Sequence, residues 1–165
     1  MKAHLLSYVR YNLWANECLI AYLRTLPDAQ IHQEMVSSFP SIRKTMLHIS
    51  DAEVLWQFRL QGISLPTFPS ATFQGDNEEM FQHILDTSSK FVAILENEKA
   101  AYLNEKISYS TISYGAATEK RLDMIHHCMN HSTYHRGQIP MMLRQLGYTN
   151  LPHLDFMLYK MQQHD

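Results

Sequence analysis

The stretch NHSTYHRGQIP, residues 130–140, decides how this chain folds. It lies within a longer run of helical spacing, yet it carries two histidines four apart, followed by an arginine, a glycine and a proline. Glycine and proline both weaken a helix interior. A helix that keeps them answers to something besides helix stability. Read outward, the segment predicts a helix capped by Thr118 and running to about Leu146, where Gly147 ends it. Pro140 leaves the carbonyl of Arg136 without its usual donor, which predicts a kink just past the histidines. Gly137 is expected to let a neighbouring helix come close.

Three further amphipathic helices are expected upstream. Residues 3–25 place Leu5, Val9, Leu13 or Asn12, Asn16, Ile20 and Leu23 at helical spacing, with Pro27 beyond the end. Residues 28–40 read as a mixed connection. Ser41 is a candidate N-cap for a helix to about Gln61, stopped by Gly62, with Met46, Ile49, Trp56 and Leu60 on its apolar face. Residues 62–75 form an irregular crossover with two prolines. Asp76 and Glu79 have capping-box spacing and open a helix to about Glu98. The segment ISYSTISY, residues 107–114, alternates weakly and reads as extended, with a turn at Tyr114-Gly115. A short last helix is expected over 150–163, with Pro152 near its first turn. The expected fold is all-α: a single domain over 1–165, a four-helix bundle with one long crossover and a short C-terminal helix. Facing helices of such bundles commonly build metal or cofactor sites in the core.

Composition fits that architecture. The chain has 165 residues, 45% of them apolar, with a formal charge of −2. A core of that size needs no disulfide or structural metal, so a bound ion would serve function. No basic block is present, which argues against a nucleic-acid partner. No apolar run has the length of a membrane span. The N-terminal segment lacks a signal-peptide h-region, and Cys18 and Cys128 form no CxxC pair. A cytoplasmic protein with reduced thiols is expected.

The ten histidines are unevenly spread: His126, His127, His131 and His135 fall within ten residues. His127, His131 and His135 form one row at i, i+4, i+8. Neighbours in such a row lie about 5–6 Å apart at Cβ, so two rings can converge on one ion. Eight residues of helix span about 12 Å, so the third ring of the row cannot share it easily. One pair therefore binds and a further ligand must come from another helix. His48, in MLHISDAEVLW, is the best candidate, in line with Ala52 and Leu55. His83 lies on a solvated edge, and His4, His32, His153 and His164 lie near ends or loops.

Several known chemistries are excluded. HSTYH lacks the glutamate of H-E-x-x-H, so the chain is not a zincin-like protease. No Glu-x-x-His occurs, against a di-iron carboxylate bundle. There is no Gly-rich phosphate loop and no G-x-S-x-G. Around the site, Asn130, Gln138, Asp51, Glu53, Asn12 and Asn16 are candidates to orient the imidazoles. Glu53 follows His48 by five residues, so an interhelical hydrogen bond is an equal reading. Arg136 would pair with a carboxylate across the bundle or bind an anionic substrate. Tyr134 is a candidate proton donor or a packing residue. Cys128 would be a buried thiol or approach the metal.

These motifs carry a family resemblance. YNLWAN at 11–16, LHISDAEVLW at 47–56, HHCMNHSTYHRGQI at 126–139, LGY at 146–148 and LDFMLY at 154–159 make nearly the whole chain resemble the DinB-like, or DinB/YfiT-like, family. The resemblance implies a four-helix bundle, often a homodimer, with an internal divalent metal held by three histidines. Matched by motif, these are His48, His131 and His135. His127 matches a position near the site often occupied by histidine. Relatives in the family resemble thiol-dependent S-transferases, using bacillithiol, mycothiol or glutathione, and maleylpyruvate isomerases.

Three functions compete. The first is a metal-dependent enzyme, such as a thiol-dependent S-transferase or hydrolase acting on a small-molecule substrate. The second is a non-catalytic metal-binding dimer in stress response or sensing. The third is a plain helical interaction module. Imidazole ligands suit zinc, nickel, iron or copper. Zinc or nickel are the first expectation, with a low-molecular-weight thiol as a second cofactor.

Overall fold

Local chemistry sets several of the helix ends. The computed structural model describes residues 1–163, so His164 lies outside the described residues. Helix α1 spans Lys2–Leu23, α2 Asp28–His32, α3 Ile42–Arg59, α4 Asn77–Asn97, α5 Arg121–Gln145 and α6 Phe156–Gln162. The Ser41 side chain accepts from the Lys44 amide at the start of α3. Asp76 and Glu79 form a reciprocal capping box at the start of α4. These side chains satisfy amides that the first helical turn leaves unpaired. Gly62 and Gly147, after α3 and α5, take positive φ of 77° and 91°. That conformation favours glycine and ends each helix where the sequence predicts.

The four long helices form the bundle. Helix α3 packs against α5 and α4, and α1 closes the other side against the same two. Successive long helices α1 and α3 are therefore diagonal partners. The lower core joins Leu19, Ile20, Met46, Ile49, Ile84 and Leu143, and the upper core joins Val9, Phe91, Leu95, Ile125 and Met129. Burying such side chains stabilises the fold by about 1.5–3 kcal/mol each before chain entropy is charged.

Four details differ from the sequence reading. Residues 28–40 contain the short helix α2. The extended segment is one arm of an antiparallel hairpin, β1 (Lys106–Thr111) with β2 (Gly115–Lys120), so the fold is mostly helical with one added hairpin. Thr118 is consequently a strand residue opposite Ser108, and its hydroxyl meets the Ser108 hydroxyl at 2.8 Å. Helix α5 starts two residues later than that cap implies, at Arg121, where the guanidinium bonds the Leu60 carbonyl and the Glu105 carboxylate. The cross-strand pair outcompetes the cap because Thr has high strand propensity. Gly115 follows the hairpin turn at φ 79°. Pro152 precedes α6 without entering it; the Asp155 carboxylate caps that helix by accepting from Met157. Pro140 lies inside α5, as the sequence predicts.

Candidate metal centre

Helices α3 and α5 face each other along most of their length, and this contact brings the histidines together. The ligand atoms of His48, His131 and His135 all lie within 4.8 Å of one another. The Nε2 atoms of His48 and His131 are 3.2 Å apart. Two nitrogens bound at about 2.0–2.1 Å to one tetrahedral ion stand about 3.3 Å apart. The observed spacing fits that edge, and small ring rotations would bring in the third nitrogen. The donor set also fits a divalent ion: three imidazoles and no carboxylate among the described residues of the cluster.

The rings are held from outside. Gln138 Oε1 lies 3.0 Å from His135 Nδ1, which fixes that ring and leaves Nε2 free. Hydrogen bonds of this kind orient metal-binding imidazoles. Phe39 stacks on His48 at 3.9 Å between centroids and meets His135 edge-on at 5.4 Å. His131 Nδ1 is buried without a hydrogen-bond partner among the described residues. Burial, with the His135 charge nearby, pushes His48 down to about 4. Burial and the charges of His135, His48 and His127 push His131 down to about 3. Both rings are neutral at pH 7, the form that coordinates metal.

His127 stands outside this cluster. Its ring lies 6.1 Å from that of His131 and 4.9 Å from Trp56. Burial and the charge of Arg59 lower its pKa. His126 and His4, His32 and His153 are exposed, and half-buried His83 lies 5.9 Å from the Phe73 ring.

Most of the polar residues named as orienting groups do something else. Glu53 is fully buried. Its carboxylate accepts from Asn12 at 2.7 Å, from Ser88 at 2.7 Å, and at 3.4 Å from both Asn16 and Ser132. Arg136, also buried, donates to the side-chain carbonyls of Asn12 and Asn16. Burial raises the Glu53 pKa, while these donors and the Arg136 charge pull it down. The two charges are therefore joined through asparagines, which corrects the direct carboxylate pair expected for Arg136. Asn12 and Asn16 are buried connectors of the bundle. Asp51 accepts from the amide and hydroxyl of Ser70 and pins the crossover. Asn130 is exposed.

Cys128 is a buried core thiol, its pKa raised well above the usual range by burial. Tyr134 is 65% exposed and packs edge-on against His135 at 4.9 Å. Gly137 faces open space, since an added Cβ would meet nothing within 4 Å, so it enables no close helix contact.

His48 and His131 form one end of a cavity of about 650 Å³. Ala52, Leu55, Trp56, Tyr109 and Ile112 supply much of its wall, the last two from the hairpin. Sequence reading missed this cavity and Phe39. An apolar stripe on α3 looks the same whether it packs against a helix or lines a void. Among the described residues, no helix is long and apolar enough to cross a membrane.

Comparison with known proteins agrees with this architecture. A family model described as the DinB family matches residues 1–165. Protein DinB of Bacillus subtilis (strain 168) is 32% identical over 156 residues, covering 90% of this chain and 89% of that protein. Bacillus subtilis YfiT, described as "a probable metal-dependent hydrolase with an unusual four-helix bundle topology", superposes with a TM-score of 0.71 at 12% identity, covering 90% of this chain and 91% of that one. The DinB-like protein YjoA of Bacillus subtilis superposes with a TM-score of 0.60 at 18% identity, covering 93% and 96%.

Proposed function

We propose, from the premise that this chain belongs to the DinB family, that it is a metal-dependent enzyme whose divalent ion is held by His48, His131 and His135. The observation that carries this reading is the convergence of three imidazoles, two of which line a largely apolar cavity. A divalent ion there supplies a Lewis acid that lowers the pKa of a small nucleophile, water or a thiol.

The chain's own residues supply the rest. Gln138 orients His135, and Phe39 packs against the rings of His48 and His135. Leu55, Trp56 and Ile112 exclude water and hold an apolar substrate beside the imidazoles. With water as nucleophile the reaction is a hydrolysis, the class printed for YfiT. With a low-molecular-weight thiol it is an S-transfer. Zinc or nickel is the first choice of ion and iron the next. A homodimer, which the family resemblance implies, completes the reading and is measurable by sedimentation. A non-catalytic metal-holding role calls for a site closed on all sides, whereas this one adjoins a cavity.

The test is metal content by mass spectrometry on untagged protein, beside His48→Ala, His131→Ala and His135→Ala. About one ion per chain, lost in each variant, is expected for a three-nitrogen site. No stoichiometric metal after reloading would overturn the reading. Loaded protein would then be screened against ester, amide and electrophilic thiol-acceptor substrates, with and without added thiols.

A further inference from the structure

Helix α3 carries more than a ligand. His48, Ala52, Leu55 and Arg59 follow one another at intervals of four, three and four residues, and all line the same cavity. This spacing places them on one helical stripe. One end of the stripe holds a ring of the histidine cluster and the other a guanidinium, with an apolar stretch between. Eleven residues of helix separate the two ends by about 16 Å along the axis.

Arg59 is 6% exposed, and its Nε is buried without a hydrogen-bond partner among the described residues. No ion pair involving Arg59 forms among those residues. Its guanidinium instead stacks on aromatic faces, 4.6 Å from the Trp56 centroid and 5.7 Å from that of Tyr109. Stacking fixes the plane of the group and leaves its edge donors free. An unpaired buried cation is costly, so a site that keeps one is built to meet an anion. The exposed carboxylates of Glu119 and Asp123 line the same cavity. Their repulsion grows with the charge of the ligand, so it weighs more against a dianion such as a phosphate monoester than against a monoanion.

We infer that the substrate is an elongated, apolar or aromatic monocarboxylate, its carboxylate paired with Arg59 and its reacting end beside His48 and His131. Leu55 and Trp56 pack against its middle. This rests on the proposed catalytic reading for which end reacts, while the Arg59 anchor stands or falls by itself.

The test uses phenylalkanoates of increasing chain length, the matching phenylalkanols and the matching phenylalkyl phosphates. Binding is measured by calorimetry to metal-loaded protein, to Arg59→Met and Arg59→Lys, and to His131→Ala. A charge-assisted pair makes the carboxylate bind at least about tenfold tighter than the alcohol. Arg59→Met should abolish this preference and Arg59→Lys keep only part of it, since lysine lacks the fork. His131→Ala should lose metal yet keep the preference, which separates the anchor from the metal centre and needs no change at Arg59. An unchanged preference in Arg59→Met would overturn the inference. So would equal binding of alcohol and carboxylate to His131→Ala, or tighter binding of the phosphate.

Discussion

Two polar clusters lie side by side in this bundle, and both are built on α3 and α5. Glu53 on α3 and Ser132 and Arg136 on α5 meet Asn12 and Asn16 of α1 in the interior. His48 on α3 and His131 and His135 on α5 meet each other beside the cavity. On α5 the two sets are adjacent in sequence, His131 beside Ser132 and His135 beside Arg136, each an i, i+4 pair turned to a different side. The first set is satisfied: the Glu53 carboxylate has four donors and Arg136 has three acceptors, counting the Thr133 hydroxyl. The second leaves His131 Nδ1 without a partner and sets two ring nitrogens 3.2 Å apart. A network complete in itself holds the helices. A cluster incomplete in itself awaits something else.

The sharpest way to break this contrast is to delete one member of each cluster. Arg136→Ala would leave the Glu53 charge buried with only dipoles around it. Removing one partner of a buried charge pair costs about 3–5 kcal/mol. Urea titration of metal-free protein should show that loss for Arg136→Ala. His131→Ala in the same metal-free protein should cost far less, because the orphaned Nδ1 goes with the ring and only the contact with His48 Nε2 is lost. Equal losses in the two variants would erase the distinction.

Adding metal should reverse the ranking. A ligand at a hundredfold its Kd stabilises the native state by about 2.7 kcal/mol. Wild type and Arg59→Met should gain this in thermal melts with zinc or nickel, while His48→Ala and His135→Ala gain little. A smaller effect is expected one shell out. Gln138→Ala should weaken metal affinity about 10–100-fold, as loss of an orienting partner does, with no change in metal-free stability. An unaltered affinity would make the Gln138 contact incidental.

The comparison also shows what sequence can reveal. The histidine cluster was legible because the motif spacing on α5 is regular and His48 falls in line with an apolar stripe. Caps at Ser41 and Asp76 and the stops at Gly62 and Gly147 were legible because each is local. The Glu53–Arg136 network was half legible: an interhelical bond for Glu53 was in view, but the asparagine bridges depend on where α1 lies. Thr118 misled because a threonine cap and a strand threonine look alike until the partner strand is placed. Arg59 carried no signal at all. Its meaning comes from Tyr109, fifty residues away on a hairpin whose second strand, GAATEK, has little strand character.

The weakest expected effect sharpens the contrast most directly, since it reads the histidines without any metal. His48 and His131 fall from 6.5 to about 4 and about 3 on folding. Between those values and 6.5 the unfolded chain binds more protons at these rings than the folded one. Stability then rises with pH across the window and falls on acidification. Above 6.5 both states are neutral and the effect is absent; below about 3 both are protonated and it is complete. Metal-free wild type should therefore lose melting temperature between pH 6.5 and 4. His131→Gln removes one titrating ring and the charge it would bring near its neighbours, so its curve should be flatter. Both rings are half-buried, and solvent screening reduces the effect. Each kcal/mol lost corresponds to about 2–4 °C in a domain of this size. Parallel curves for wild type and His131→Gln would mean that the acid sensitivity lies elsewhere, and that the cluster is as self-sufficient as the network beside it.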